Sequence, residues 1–142
     1  KRPSGNDTSN IKAVASGQCP LSIVNSYYVA RFLASGDQVG ERISILYPNQ
    51  SSTGTHVNIS GAGVLKHAPN HENAVRFLEY LTEVRAQTVF VSGNNEYPVA
   101  KTAETTSTLA KMGTFKEDTI NASVLGKNQA AAVRIFDRAG WR

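Results

Sequence analysis

The feature that most constrains the fold is the alternation of helical and strand-like patterns over the first 47 residues. Capped helical patterns span 6–17 and 25–36, each closed by a glycine. Between and after them lie short runs of apolar and β-branched residues at 19–24 and 43–47, which are typical of buried strands. This order of helix, strand, helix and strand predicts a layered α/β sheet.

The rest of the chain continues the same alternation. The patterns predict a strand at 56–65 and helices at 70–82, 83–91 and 128–139. The last helix carries an apolar stripe of Ala132, Ile135 and Phe136, which we expect to be buried, and Gly140 is its expected stop.

Charge and composition exclude several classes of protein. The 15 Lys+Arg and 11 Asp+Glu leave a net charge of +4, and basic residues never exceed two in a row, so a nucleic-acid partner is not favoured. No apolar run is long enough to span a membrane. The single cysteine, Cys19, excludes an internal disulfide and a Cys/His zinc module. The opening pair Lys1 and Arg2 has no apolar stretch after it, so we expect no signal peptide within these residues.

The strand-to-helix turn at 25–28 is the most informative place in the sequence. Ligands of open α/β sheets gather where helices begin, because free N–H groups and the helix dipole point there. Tyr27 and Tyr28 lie in this first turn and could converge on a ligand beyond the helix end. A phenolate is a hard anionic ligand, and ferric iron is acidic enough to ionise it near neutral pH. Spacing alone favours the alternative of two ordinary half-buried tyrosines with satisfied hydroxyls.

Five short motifs together resemble one family. They are Asn-Ser-Tyr-Tyr at 25–28, Gly-Asn-Asp at 5–7, Ser-Gly-Ala-Gly-Val at 60–64, Asn-Asn-Glu-Tyr-Pro-Val at 94–99 and Asp-Arg-Ala-Gly-Trp at 137–141. The chain resembles the ferric-ion-binding periplasmic proteins, the transferrin-like solute receptors of bacterial ABC iron importers, and particularly the cyanobacterial type. The resemblance covers essentially all 142 residues. It implies a periplasmic-binding-protein-like lobe with a mixed sheet flanked by helices, and a periplasmic receptor rather than an enzyme.

The resemblance also implies roles for individual residues. Tyr27 and Tyr28 match the adjacent tyrosines that ligate Fe(III) in the family. Asn25 matches an asparagine that in some members holds a synergistic anion, carbonate or phosphate, and the N–H groups near Ser26 suit the same anion. Residues 5–7 could face that anion pocket too. Arg31, four residues after Tyr27 on the same helical face, could lie beside the ligands and lower the phenolate pKa, or lie at the surface.

Such receptors have two lobes and about twice this length, so the resemblance implies an incomplete receptor. The missing N-terminal half would supply the other iron ligands, and an importer permease would receive the iron. Residues 1–57 and 101–142 would form the C-terminal lobe, and residues 58–100 would cross into the N-terminal lobe. The apolar face of the 70–82 helix, with Phe77, Leu78 and Leu81, would then lack its sheet. We therefore expect the isolated chain to aggregate or to be partly unfolded.

Two other functions stay open at this point, and so does a degenerate interaction piece with no ligand site. A receptor of the same fold could bind another small solute, an anion or a polyamine, through the tyrosines. An α/β enzyme could act through Ser26 or His56 with Asp37, although no nucleophile-elbow motif surrounds Ser26.

Two further patterns are weaker. His67 and His71 have metal-friendly spacing, but the proline between them favours solvated loop histidines. The two glycines at 61–63 lack a third glycine and a following helix, so they do not form a dinucleotide-binding fingerprint.

Overall fold

The computed structural model describes residues 5–141, so Lys1 and Arg2 lie outside the described part. Within that part the regular structure is helical. The helices are α1 Asp7–Ala15, α2 Ser26–Ser35, α3 Gln38–Glu41, α4 His71–Leu81, α5 Val84–Asn94, α6 Ser107–Lys111 and α7 Ala122–Arg138. None of them combines the length and the apolar character needed to cross a lipid bilayer.

Helices α1 and α2 form where the capping pattern predicted them. In α1 the N-cap Asn6 and Ser9 form a reciprocal capping box, in which the Ser9 amide donates to Asn6 Oδ1 at 3.0 Å and the Asn6 amide donates to Ser9 Oγ at 2.8 Å. Helix α2 ends at Gly36, whose φ of 67° is the left-handed conformation that a glycine adopts without steric cost. Both helices are therefore specified by local sequence.

The mixed sheet is not formed by the described residues. Over 5–141 the only β pairing is an isolated parallel bridge between Thr55 and Glu117. The runs at 19–24 and 43–47 have no regular secondary structure, and their side chains Leu21, Ile23 and Leu46 are 72%, 87% and 86% exposed. A strand exists only when a neighbouring strand pairs with its backbone, and these runs do not pair with one another.

Backbone and side-chain hydrogen bonds nevertheless hold the Thr55 bridge together. The Thr55 amide donates to the Lys116 carbonyl, and the Asp118 amide donates to the Thr55 carbonyl, each at 2.8 Å. The Gln50 side chain strengthens the bridge, because its Oε1 accepts the Lys116 amide at 2.7 Å and its Nε2 donates to the Lys116 carbonyl at 3.1 Å. These hydrogen bonds hold the 49–54 turn against residues 116–118.

The second half of the chain shows one confirmed prediction and one error. Helices α4 and α5 form close to the predicted bounds, and Phe77 of α4 is 58% exposed, while Leu78 and Leu81 are half-buried. Helix α7 begins six residues earlier than predicted, because Asn121 caps it by accepting the Ser123 amide at 2.9 Å. Its predicted buried stripe is wrong.

Every described residue of α7 is exposed, including Ile135 at 62% and Phe136 at 50%. The reason is physical: periodicity indicates which face of a helix is apolar, but burial requires another element against that face.

The core is small and joins distant parts of the chain. Its buried cluster consists of Ala30 from α2, Val91 from α5, Leu109 from α6 and Met112. Helix α6 and the short α3, both absent from the predictions, each contact α2. Since Val91 comes from the 58–100 segment, that segment shares this core with α2. The division into lobes stays a prediction.

Candidate metal centre

The two tyrosines lie together at the start of α2. Their ring centroids are 4.3 Å apart with the planes tilted by 33°, and both side chains are half-buried rather than enclosed. The backbone would send consecutive side chains about 100° apart around a helix, so the close rings show that both side chains turn toward one region. Two phenol groups are therefore available at a single surface site.

Arg31 lies over both rings. Its guanidinium carbon is 5.3 Å from the Tyr27 centroid and 5.1 Å from the Tyr28 centroid, which is the range of cation–π contacts. Arg31, Tyr28 and Thr8 also line a surface cavity of about 290 Å³ between α1, α2 and α3. The site is thus open to solvent, and Arg31 places a positive charge beside both rings.

The protonation of Tyr27 is set by its neighbours. Hydrogen bonding with the Tyr28 hydroxyl raises the pKa of Tyr27 above its ordinary value of 10.0, and desolvation and the Asp7 carboxylate raise it further, while Arg31 lowers it. Without a cation, Tyr27 therefore keeps its proton near neutral pH. A bound cation would have to displace the Tyr27 proton.

Asn25 precedes the tyrosines and is held by other parts of the chain. Although it is the N-cap residue of α2, its side chain makes no capping hydrogen bond. Instead its backbone amide and its Nδ2 both donate to Asp7 Oδ2, at 3.1 and 3.0 Å, and its Oδ1 accepts from Asn58 Nδ2 at 3.2 Å. The side-chain amide predicted to hold an anion is therefore used within the protein.

Sequence reasoning found part of this arrangement. It singled out the 5–7 motif, but it could not show that Asp7 contacts Asn25, and it did not find Asn58. Asn58 carries no local signal, because its contact with Asn25 spans 33 residues of chain.

The predicted enzyme site is not assembled by hydrogen bonds. Among residues 5–141 none of the hydrogen bonds joins Ser26, His56 and Asp37 to one another, and the Asp37 carboxylate caps α3 by accepting the Val39 amide at 2.9 Å. His67 and His71 are exposed, the first in a turn and the second at the start of α4. Likewise, no three His, Cys, Asp or Glu side chains of the described part come together to hold a metal ion.

Comparison with known proteins gives the family. Residues 2–122 match the family described as bacterial extracellular solute-binding protein. The chain belongs to this family. This solute-binding protein is 42% identical to iron uptake protein A1 and 45% identical to iron uptake protein A2, both of Synechocystis sp.. In each case the alignment covers all of this chain but only 41% and 43% of the relative.

The fold of this chain also matches that of a solved structure. The Trichodesmium protein IdiA (FutA), determined in complex with iron and citrate ligands, superposes with a TM-score of 0.93 at 48% identity, over all of this chain and 46% of that one. This chain thus has the fold of one part of a solute-binding protein and spans less than half of its relatives' length.

Proposed function

We propose that this chain is the ferric-ion-binding C-terminal portion of a two-lobe periplasmic receptor that delivers Fe(III) to an ABC importer. The observation that carries the proposal is the pair of half-buried tyrosine rings, 4.3 Å apart, at the first turn of α2. The names of the relatives, which are iron uptake proteins, support the same conclusion. The receptor binds its cargo and does not transform it.

The ligand chemistry favours a trivalent ion. Tyr27 and Tyr28 would each bind iron as a phenolate, a hard donor that matches Fe(III) better than softer or less acidic metals. Two ligands leave most of the coordination shell empty, so the remaining ligands come from the N-terminal half of the receptor. Iron bound between two lobes stabilises the closed state, because only that state brings both ligand sets together.

A small anion could complete the shell. The side chain of Asn25 does not cap α2, so the first N–H groups of the helix, including that of Ser26, are free of side-chain caps and suit carbonate, phosphate or a carboxylate. The Asn25 amide itself is engaged by Asp7, so an anion would meet the backbone rather than that side chain.

The test is a titration of the full-length receptor with ferric citrate, followed by visible absorption. Phenolate bound to Fe(III) absorbs visible light, so we expect a coloured complex that Tyr27→Phe and Tyr28→Phe each weaken strongly. Tyr80→Phe is the matched control, because Tyr80 lies on α4 and is 42% exposed. A colourless wild-type mixture, or full colour in both site variants, would refute the proposal.

The pH dependence of iron binding gives a second readout. Each tyrosine must lose a proton to bind, and the pKa of Tyr27 is raised, so iron affinity must fall as the pH falls. Equilibrium dialysis at several pH values measures this slope. Affinity that stays constant over the acidic range would contradict phenolate ligation.

A further inference from the structure

We propose that Asp7 is a positioning residue for the tyrosine pair: it clamps Asn25 and thereby fixes the first turn of α2. The inference rests on the proposed function, since positioning matters only if the tyrosines bind the cargo. It concerns a contact between two helices that local sequence does not specify.

The clamp consists of two hydrogen bonds between Asp7 and Asn25. A single oxygen of Asp7, Oδ2, accepts both the backbone amide of Asn25 at 3.1 Å and the side-chain amide at 3.0 Å. A carboxylate oxygen has lone pairs for both bonds, and hydrogen bonds to an ionised acceptor are stronger than neutral ones. The contact is partly buried, so water competes with it less than at an exposed site.

Asp7 lies at a capped helix end. It is the first residue of α1, directly after the N-cap Asn6, whose capping box with Ser9 orders that end of the helix. A carboxylate is also stable there, because the N-terminal end of a helix favours negative charge. The carboxylate can therefore act as a fixed anchor rather than follow a mobile side chain.

Asn25 depends on that anchor. Its side chain makes no capping hydrogen bond to α2, and its side-chain hydrogen bonds are with Asp7 and Asn58, both outside α2. Its other side-chain contact is the exposed hydrogen bond from Asn58 at 3.2 Å. Tyr27 and Tyr28 follow within three residues on the same turn, and the Tyr28 amide donates to the Asn25 carbonyl at 3.2 Å. A shift of Asn25 therefore moves the backbone that carries both phenols.

The experiment compares full-length receptors carrying Asp7→Ala, Asp7→Asn or the control Asp118→Ala. Asp118 also accepts one backbone amide, that of Ile120 at 3.0 Å, and lies in the segment after Phe115 rather than at α1 or α2. The readouts are the position and intensity of the visible iron band, the rate of iron release to excess EDTA, and the melting temperature without iron.

We expect Asp7→Ala to release iron roughly tenfold faster, the lower end of what loss of a ligand's supporting contact costs, with an altered iron band. Asp7→Asn keeps an oxygen acceptor but not the charge, so its release rate should lie between those of wild type and Asp7→Ala. Asp118→Ala should leave both iron readouts unchanged.

The outcomes separate the two proposals. If wild type binds no iron, the proposed function fails. If wild type binds iron and Asp7→Ala keeps the wild-type band and release rate, the positioning role alone is refuted. Should Asp7→Ala fail to fold, Asp7→Asn decides, and a folded Asp7→Asn with unchanged band and release rate refutes the role. A fall in melting temperature with unchanged iron readouts would likewise assign Asp7 a structural role only.

Discussion

Replacing Gly54 by alanine should destabilise the protein through a steric clash with the backbone of Glu117 and Asp118. Gly54 has a φ of 97°, a conformation that L-residues rarely adopt. A Cβ at this position would lie 2.5 Å from the Glu117 carbonyl oxygen and 2.9 Å from the Asp118 amide nitrogen. Both contacts are backbone atoms, so no side-chain rotation can relieve them.

The size of the effect follows from these contacts. The left-handed conformation costs a non-glycine residue about 1–2 kcal/mol. Moving residues 117–118 away also stretches the two 2.8 Å hydrogen bonds that join Thr55 to Lys116 and Asp118. Each such bond contributes roughly 0.5–1.5 kcal/mol, so Gly54→Ala should lower the free energy of unfolding by about 2–5 kcal/mol.

The assay is thermal and urea unfolding of the full-length receptor, with Gly61→Ala as the matched control. Gly61 has no positive φ, and a Cβ there meets nothing within 4 Å, so its replacement should change stability by less than about 0.5 kcal/mol. If Gly54→Ala unfolds at the same urea concentration as Gly61→Ala, the clash argument is wrong.

Three further predictions follow from burial. Burial, together with the hydrogen bond between the Tyr97 and Tyr47 hydroxyls, raises the pKa of Tyr97 above 10.0. Above pH 10 the unfolded state therefore ionises first and stability is lost. Melting curves between pH 9 and 12 should show a smaller loss for Tyr97→Phe, and an equal loss would contradict this. The Leu109 side chain is only 2% exposed, so Leu109→Ala should lower the free energy of unfolding by about 2–5 kcal/mol, measured by urea titration. Ile23 is 87% exposed in this chain, but in the full-length receptor we expect a neighbouring strand to cover it. Ile23→Ala should therefore lower the free energy of unfolding of the full-length receptor by more than about 1 kcal/mol. An unchanged free energy of unfolding would argue against a covering strand.

The helices were predictable where their signals are local. Asn6 with Ser9 for α1, and Gly36 for α2, act within a few residues, so a single sequence carries the information. The tyrosine pair was found for the same reason, because its place at the first turn of a helix is a local pattern. Helix α6 was missed because its Thr- and Ser-rich segment has little hydrophobic periodicity.

The errors share one physical cause. The strand at 19–24 and the buried stripe of α7 were inferred from apolar patterns. Such patterns show which side of a segment is apolar and could be buried. They do not supply the partner. Over the described residues that partner is absent, so Ile23 and Ile135 remain exposed although their patterns were correctly identified.

By itself, then, the sequence determined the helix ends, the tyrosine pair and the apolar faces, because each depends on residues close together along the chain. Only the tertiary structure decided which faces are covered and how the site is held. The contact of Asp7 with Asn25 joins residues 18 apart, and that of Asn58 with Asn25 joins residues 33 apart. Hydrogen bonds over such separations depend on how the whole chain packs, and no local pattern encodes them.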